Sequence, residues 1–176
     1  MKPPFTTKPT KRKVNTTANI RASFEEQLHQ MYWCEKELAE TLPGMAKLAT
    51  SYELTSAILA HLAVTENQII RLIHVFDAIG ERAIGQRCDT VETIMAMNQN
   101  LELVDSGYFR DTEIINCSQK MMQHEMATYA ELHQLAVQLE EDLAAEFLAL
   151  AIKEEQNAFA RLSEIRLSSI YFDAAS

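Results

Sequence analysis

Four glutamates stand where a helical apolar stripe calls for leucine. In the first long segment the stripe runs Phe24, Leu28, Met31, Glu35, Leu38, Leu42 and Met45, spaced by threes and fours throughout, which is the period of one helix face. Glu66 follows Leu62 and precedes Ile69 and Ile73. Glu125 lies between Met121 and Met122 on one side and Tyr129 and Leu132 on the other, and Glu155 between Ala151 and the group Ala158, Phe159 and Leu162. A carboxylate on a buried face is costly unless it is protonated, hydrogen-bonded or bound to a metal. Converging carboxylates are hard oxygen ligands that suit iron, manganese, magnesium or calcium better than copper or zinc. Glu35, Glu66, Glu125 and Glu155 are therefore the expected metal ligands, with iron or manganese as the expected cofactor.

The neighbouring residues limit that chemistry. In bundles that hold two irons, two helices each supply one glutamate and the other two supply Glu-x-x-His, because positions three apart share a face. Here Ala63 stands three before Glu66, Met122 three before Glu125, and Ala158 three after Glu155. Four glutamates can hold one ion, or two loosely, but a second firmly held ion lacks ligands. Glu154 competes with Glu155 for the inward position, since it lies four from both Leu150 and Ala158. His61, five before Glu66, can flank the site. His124 points about 100° away from Glu125 on a helix and reads as surface. Met121, Met122 and Met126 read as core filling. There is no Ser/His/Asp or Cys/His set and no Gly-rich phosphate loop, so no catalytic or nucleotide-binding residue is assigned and enzymatic activity stays open.

Glycine and proline mark the elements that must position these residues. Ser23 with Glu26 spells a capping box, predicting a first helix over about 23–42, kinked at Pro43-Gly44 and ended at Thr50-Ser51. A second helix runs to Ile79 before Gly80. A long connection over 81–108 holds a short helix lined by Val91, Ile94 and Met95. A third helix follows over 109–139, then an acidic turn at 140–142, and a fourth continues towards Ile170. No segment alternates with period two, so no sheet is expected. The expectation is an all-α four-helix bundle with one long crossover between the second and third helices. The spacing from Glu35 to Glu66 (31 residues) nearly equals that from Glu125 to Glu155 (30), so two hairpins would each offer a carboxylate pair at similar depth.

Composition bounds the rest. The 176 residues suffice for one core. Residues 1–20 carry five basic side chains and no acid, which leaves −14 for the remainder of a chain whose net charge is −9. The division expected is a disordered basic leader over 1–20 and a bundle over 21–172. The acidic body argues against nucleic acid as a partner, and the absence of a long apolar run argues against a membrane. Three unpaired-looking cysteines, Cys34, Cys88 and Cys117, and no secretory signal point to the cytoplasm.

Together these residues resemble a known family, the YciE/YciF-like bacterial ferritin-like proteins, of unknown function and linked to stress responses. The similarity spans about residues 23–167. It is carried by Tyr32–Leu38 (YWCEKEL), Leu42–Leu54 (LPGMAKLATSYEL), His61–Leu72 (HLAVTENQIIRL), Gln86–Ile94 (QRCDTVETI), Arg110-Asp111, Gln119-Lys120, Glu125–Tyr129 (EMATY) and Lys153-Glu154-Glu155. The resemblance implies a ferritin-like bundle that forms a homodimer, with an acidic metal site to which Glu35, Glu66, Glu125 and Glu155 match. Its pattern has further acids where this chain has Ala63, Met122 and Phe159, which implies a degenerate site. The reading is thus a stress-associated, ferritin-like protein with a reduced carboxylate metal site. The alternative is a non-enzymatic dimeric bundle that acts structurally and binds no metal.

Overall fold

The stripes predict four long helices, and four form. The structure, a computed structural model, describes residues 11–174. These comprise α1 (Lys11–Leu48), α2 (Tyr52–Ile79), a short α3 (Asp89–Asn98), α4 (Tyr108–Gln138) and α5 (Asp142–Ala174), with a 3-10 turn at Leu101–Leu103 and no strand among the described residues. None of the helices is long and apolar enough to cross a membrane.

Local chemistry explains the boundaries. Ser51 is extended (φ −82°, ψ 142°) and its hydroxyl accepts the Leu54 N–H at 3.3 Å, capping α2. Gly80 closes α2 in the left-handed conformation at φ 77°, and the next amide, Glu81, donates back to Phe76 O at 2.9 Å. The α4–α5 turn has no glycine. Glu140 itself takes φ 59°, a conformation that costs a non-glycine residue roughly 1 kcal/mol, and the amide of Glu141 returns to Ala136 O at 3.0 Å.

The first helix differs from expectation. It begins at Lys11, so Ser23 lies inside it and is not an N-cap. Residues 11–22 contain neither glycine nor proline, and nothing local stops the helix there. Of the leader expected to be disordered, residues 1–10 lie outside the described residues, whereas the part from Lys11 onward is helical. Pro43 sits within α1, and the buried face continues past it through Met45 and Ala46.

The long helices form a square. α1 and α5 each pack against both α2 and α4, leaving α1/α5 and α2/α4 as diagonals. Asp111 in the first turn of α4 bonds the α1–α2 turn, accepting from Thr50 N at 2.7 Å and Ser51 N at 2.8 Å. At the other end, Arg21 of α1 pairs with Glu141 of the α4–α5 turn at 2.6 Å. Neighbours are therefore antiparallel and diagonals parallel. The segment 80–107 must travel the length of the bundle to allow this. It is pinned to α1 where the His29 Nδ1–H donates to Ile84 O (2.6 Å) and Gln86 N donates to His29 O (3.0 Å). Between these bonds, a Cβ on Gly85 would stand 3.0 Å from Trp33 Cβ, closer than ordinary van der Waals contact, so glycine suits this close approach.

Asp111 is the joint between the two hairpins. Its carboxylate satisfies two amides left free by the α1–α2 turn, and charge-assisted bonds of this kind are the stronger class. We expect Asp111→Ala to lower unfolding free energy by about 2 kcal/mol, with Asp111→Asn losing less; urea denaturation monitored by circular dichroism measures both.

Candidate metal centre

At one level of the bundle each long helix places one carboxylate or imidazole in the core: Glu35 from α1, His61 from α2, Glu125 from α4 and Glu155 from α5. The three glutamates are 0% exposed and His61 is 4% exposed. His61 Nε2 lies 3.1 and 3.4 Å from the two Glu155 oxygens. His61, Glu125 and Glu155 each offer a ligand atom within 4.8 Å of the others. Glu35 stands beside them, its Oε1 accepting the Tyr129 hydroxyl at 2.5 Å.

Glu66 does not join this group; it is exposed. The buried face of α2 is Leu54, Ile58, His61, Thr65, Gln68, Leu72 and Val75, one residue out of step with the stripe of Leu62, Glu66, Ile69 and Ile73. One residue is about 100° on a helix, enough to turn Glu66 outward and His61 inward. Both stripes keep the spacing of threes and fours. The true one was obscured because three consecutive members, His61, Thr65 and Gln68, are polar. Its apolar ends, Leu54-Ile58 and Leu72-Val75, were the signal available in the sequence. The chain does contain one Glu-x-x-His, Glu26 to His29, but it faces outward: Glu26 is exposed and His29 holds the crossover.

A second layer of polar groups orients Glu155. Gln68 Nε2 donates to Glu155 Oε1 at 2.9 Å and to Glu154 Oε2 at 3.3 Å. Glu154, only partly exposed, forms an ion pair with Arg71. The choice between the two adjacent glutamates is thereby resolved. Glu155 enters the core, and Glu154 stays at the α2–α5 edge with a cation.

Among the described residues no Lys or Arg forms an ion pair with Glu35, Glu125 or Glu155, although the Arg71 charge reaches Glu35. Burial, then the charge of Glu155, then that of Glu35, pushes Glu125 well above the usual carboxylate range. Glu35 is likewise held high by burial and by Glu155, against the opposing hydrogen bond from Tyr129. Burial and the Glu35 charge raise the Tyr129 phenol. The Cys34 thiol is pushed up by burial and by Glu125, so it is an inert core group; it lies 3.8 Å from Met121 Sδ. Neither oxygen of Glu125 has a donor partner among the described residues, nor has Glu35 Oε2 or His61 Nδ1. Contact between Glu125 and Glu155 becomes a hydrogen bond only if one of them carries a proton. A divalent cation satisfies such orphaned oxygens as well as protons do. The donor set of carboxylates and one imidazole fits iron or manganese, and it sits at one level held by four helices. The groups that fit a cation are His61, Glu125 and Glu155, with Glu35 adjacent.

Comparison with known proteins gives a consistent result. The family described as Domain of unknown function (DUF892) matches residues 19–174. Protein YciF of Escherichia coli (strain K12) is 28% identical over 153 residues, covering 86% of this chain and 92% of that protein. The crystal structure of the E. coli stress protein YciF superposes with a TM-score of 0.82 at 27% identity, covering 86% of this chain and 97% of that one. The YcfI protein of Rhodopseudomonas palustris superposes with a TM-score of 0.78 at 25% identity, over 88% and 98% of the two chains. A protein of Xanthomonas campestris pv. campestris shares the fold, with a TM-score of 0.68 at 18% identity over 86% and 94%.

The raised carboxyls set the pH dependence of the metal-free protein. A group whose folded pKa exceeds its unfolded value adds stability below the unfolded value, and that stability is lost as pH rises through the folded one. For Glu35 and Glu125 the loss begins above the ordinary 4.5. Glu125→Gln removes one such group and gains roughly 1–3 kcal/mol at neutral pH, with its stability curve meeting that of the wild type near pH 4. Thermal unfolding in chelator across this range checks the convergence.

Proposed function

The chain belongs to the family described as Domain of unknown function (DUF892), and within it we propose a metal-binding helical bundle. In this reading one divalent ion, iron or manganese, is held between the long helices by His61, Glu125 and Glu155, with Glu35 beside them. The observation that carries the proposal is that both Glu125 oxygens are buried without a donor while two further ligand groups lie within 4.8 Å. Glu66 is left out because it faces solvent. A second ion has no ligands, since Ala63, Met122 and Phe159 are not acids. Such an ion supplies Lewis acidity and, for iron or manganese, a one-electron couple. The chain's own part is to orient Glu155 through Gln68 and to keep Glu154 outside with Arg71.

Kinship with a protein named as a stress protein supports a stress-associated role, in the ferritin-like manner the sequence suggested. A homodimer completes the proposal. Leu59 and Ile70 are 49% and 52% exposed and flank Glu66 on the outer face of α2, where a second copy would cover them.

Metal content by plasma mass spectrometry on untagged protein tests the site. The expected result is about one iron or manganese per chain, lost in His61→Ala and in Glu35→Ala/Glu125→Ala, and kept in Glu66→Ala. Metal-free wild-type protein would instead favour a purely structural bundle. For the dimer, sedimentation velocity should show two chains, shifted to one by Ile70→Glu.

A further inference from the structure

One face of the bundle is open. Between α2 and α5 lies a cavity of about 320 Å³, within the lower range of small-molecule sites. Its cause is the sequence: Ala57, Ala60 and Val64 of α2 meet Ala158 of α5 there, and such short side chains leave the space between the helix axes unfilled. Farther along the same helix pair, where Leu72, Val75, Phe147 and Leu148 line the gap, only about 10 Å³ remains. The four short side chains are exposed or half-buried, so the cavity opens to the surface.

Its polar rim is uneven. Glu154 lines the cavity beside the carboxylate level and is already engaged, by Arg71 and by Gln68. Arg161 stands seven residues farther along α5, about 10 Å on a helix. Asn157 lies between them, and Ser56 comes from α2; these two and Arg161 are exposed and line the cavity. His61 and Glu155 are in contact, and in antiparallel helices Ser56, five before His61, and Arg161, six after Glu155, lie in the same direction from that contact. The end of the rim away from the carboxylates is therefore polar and cationic. Arg161 pairs there with Glu164 at 3.4 Å, with side chains 56% and 69% exposed. Exposed pairs of this kind hold weakly, and a guanidinium has five N–H donors to offer.

We propose that this cavity binds an unbranched, medium-chain carboxylic acid, with its tail along the alanine wall and its carboxylate at Arg161, beside Asn157 and Ser56. The walls are chiefly apolar, so the body of the ligand must be apolar too. The head is a carboxylate because the planar fork of a guanidinium matches it. It lies at the Arg161 end because Glu154 repels it from the other. A neutral alcohol of the same length fills the cavity but forgoes the charge. Binding requires neither the ion nor any group of the carboxylate level.

The test uses chelator-treated full-length protein at neutral pH, so that metal does not decide it. Titration with octanoate and with 1-octanol, followed by protein NMR, compares the two head groups on one tail. Octanoate is expected to saturate a single site and to bind at least about tenfold more tightly than octanol, the scale of one charge-assisted hydrogen bond. Arg161→Gln, at an exposed position, should bring octanoate to the affinity of octanol and leave octanol unchanged. Ala158→Leu, which fills the cavity, and Ala60→Phe, which narrows its exposed rim, should each weaken both ligands at least about tenfold, with folding checked by circular dichroism. The proposal is overturned if octanoate shows no saturable binding, if it binds no better than octanol, if Arg161→Gln keeps the preference, or if the folded cavity variants bind octanoate as the wild type does.

Discussion

Three carboxylates share one buried layer of the bundle, and among the described residues no ammonium or guanidinium pairs with them. Glu35, Glu125 and Glu155 are fully buried, and what faces them is a phenol, an imidazole and an amide: Tyr129, His61 and Gln68. Mutual repulsion and desolvation both oppose this arrangement. The apolar layers above and below must outweigh that cost, which explains why the buried faces of α1, α2, α4 and α5 are otherwise so continuous. Phe24, Leu28 and Phe76 on one side and Leu42, Ile58 and Ile114 on the other are essentially inaccessible. The Arg71 guanidinium pairs instead with Glu154, one residue along α5 from Glu155. The layer is thus left to protons or to an added cation.

The fold was legible because its punctuation is chemical. Ser51 caps, Gly80 reverses, and the glycine-free stretch after residue 108 leaves room for two long helices. Where punctuation is missing, the sequence misleads. Ser23 and Glu26 spelled a helix start that the chain ignores, since a capping box matters only where the preceding residues cannot be helical. The α4–α5 turn was visible only as a cluster of acids, because Glu140 adopts a glycine-like conformation without being glycine.

The inward position of the acids is legible on three helices, and on the fourth the sequence points to the wrong face. Glu35, Glu125 and Glu155 interrupt stripes that are apolar on both sides, so the period alone turns them inward. On α2 two stripes compete. Leu62, Ile69 and Ile73 are only half-buried and cover the helix flank, whereas the inward stripe contains His61, Thr65 and Gln68. Summed hydrophobicity favours the wrong face there, because the right one is polar where it meets the site. The residues that make the site chemically interesting are the ones that hid it.

The division of the cluster between hairpins has its own consequence. The hairpin α1–α2 brings one acid and one imidazole, Glu35 and His61, while α4–α5 brings two acids, Glu125 and Glu155. Before the hairpins meet, each group can remain hydrated, so the electrostatic penalty falls on their docking and not on the formation of either. Asp111 clamps that docking at one end and Arg21 at the other, with the repulsive layer between them. The bundle is in effect a spring held shut at both ends. Any cation in the middle would act as a third fastener, making closure of the two halves the step through which solution conditions are felt.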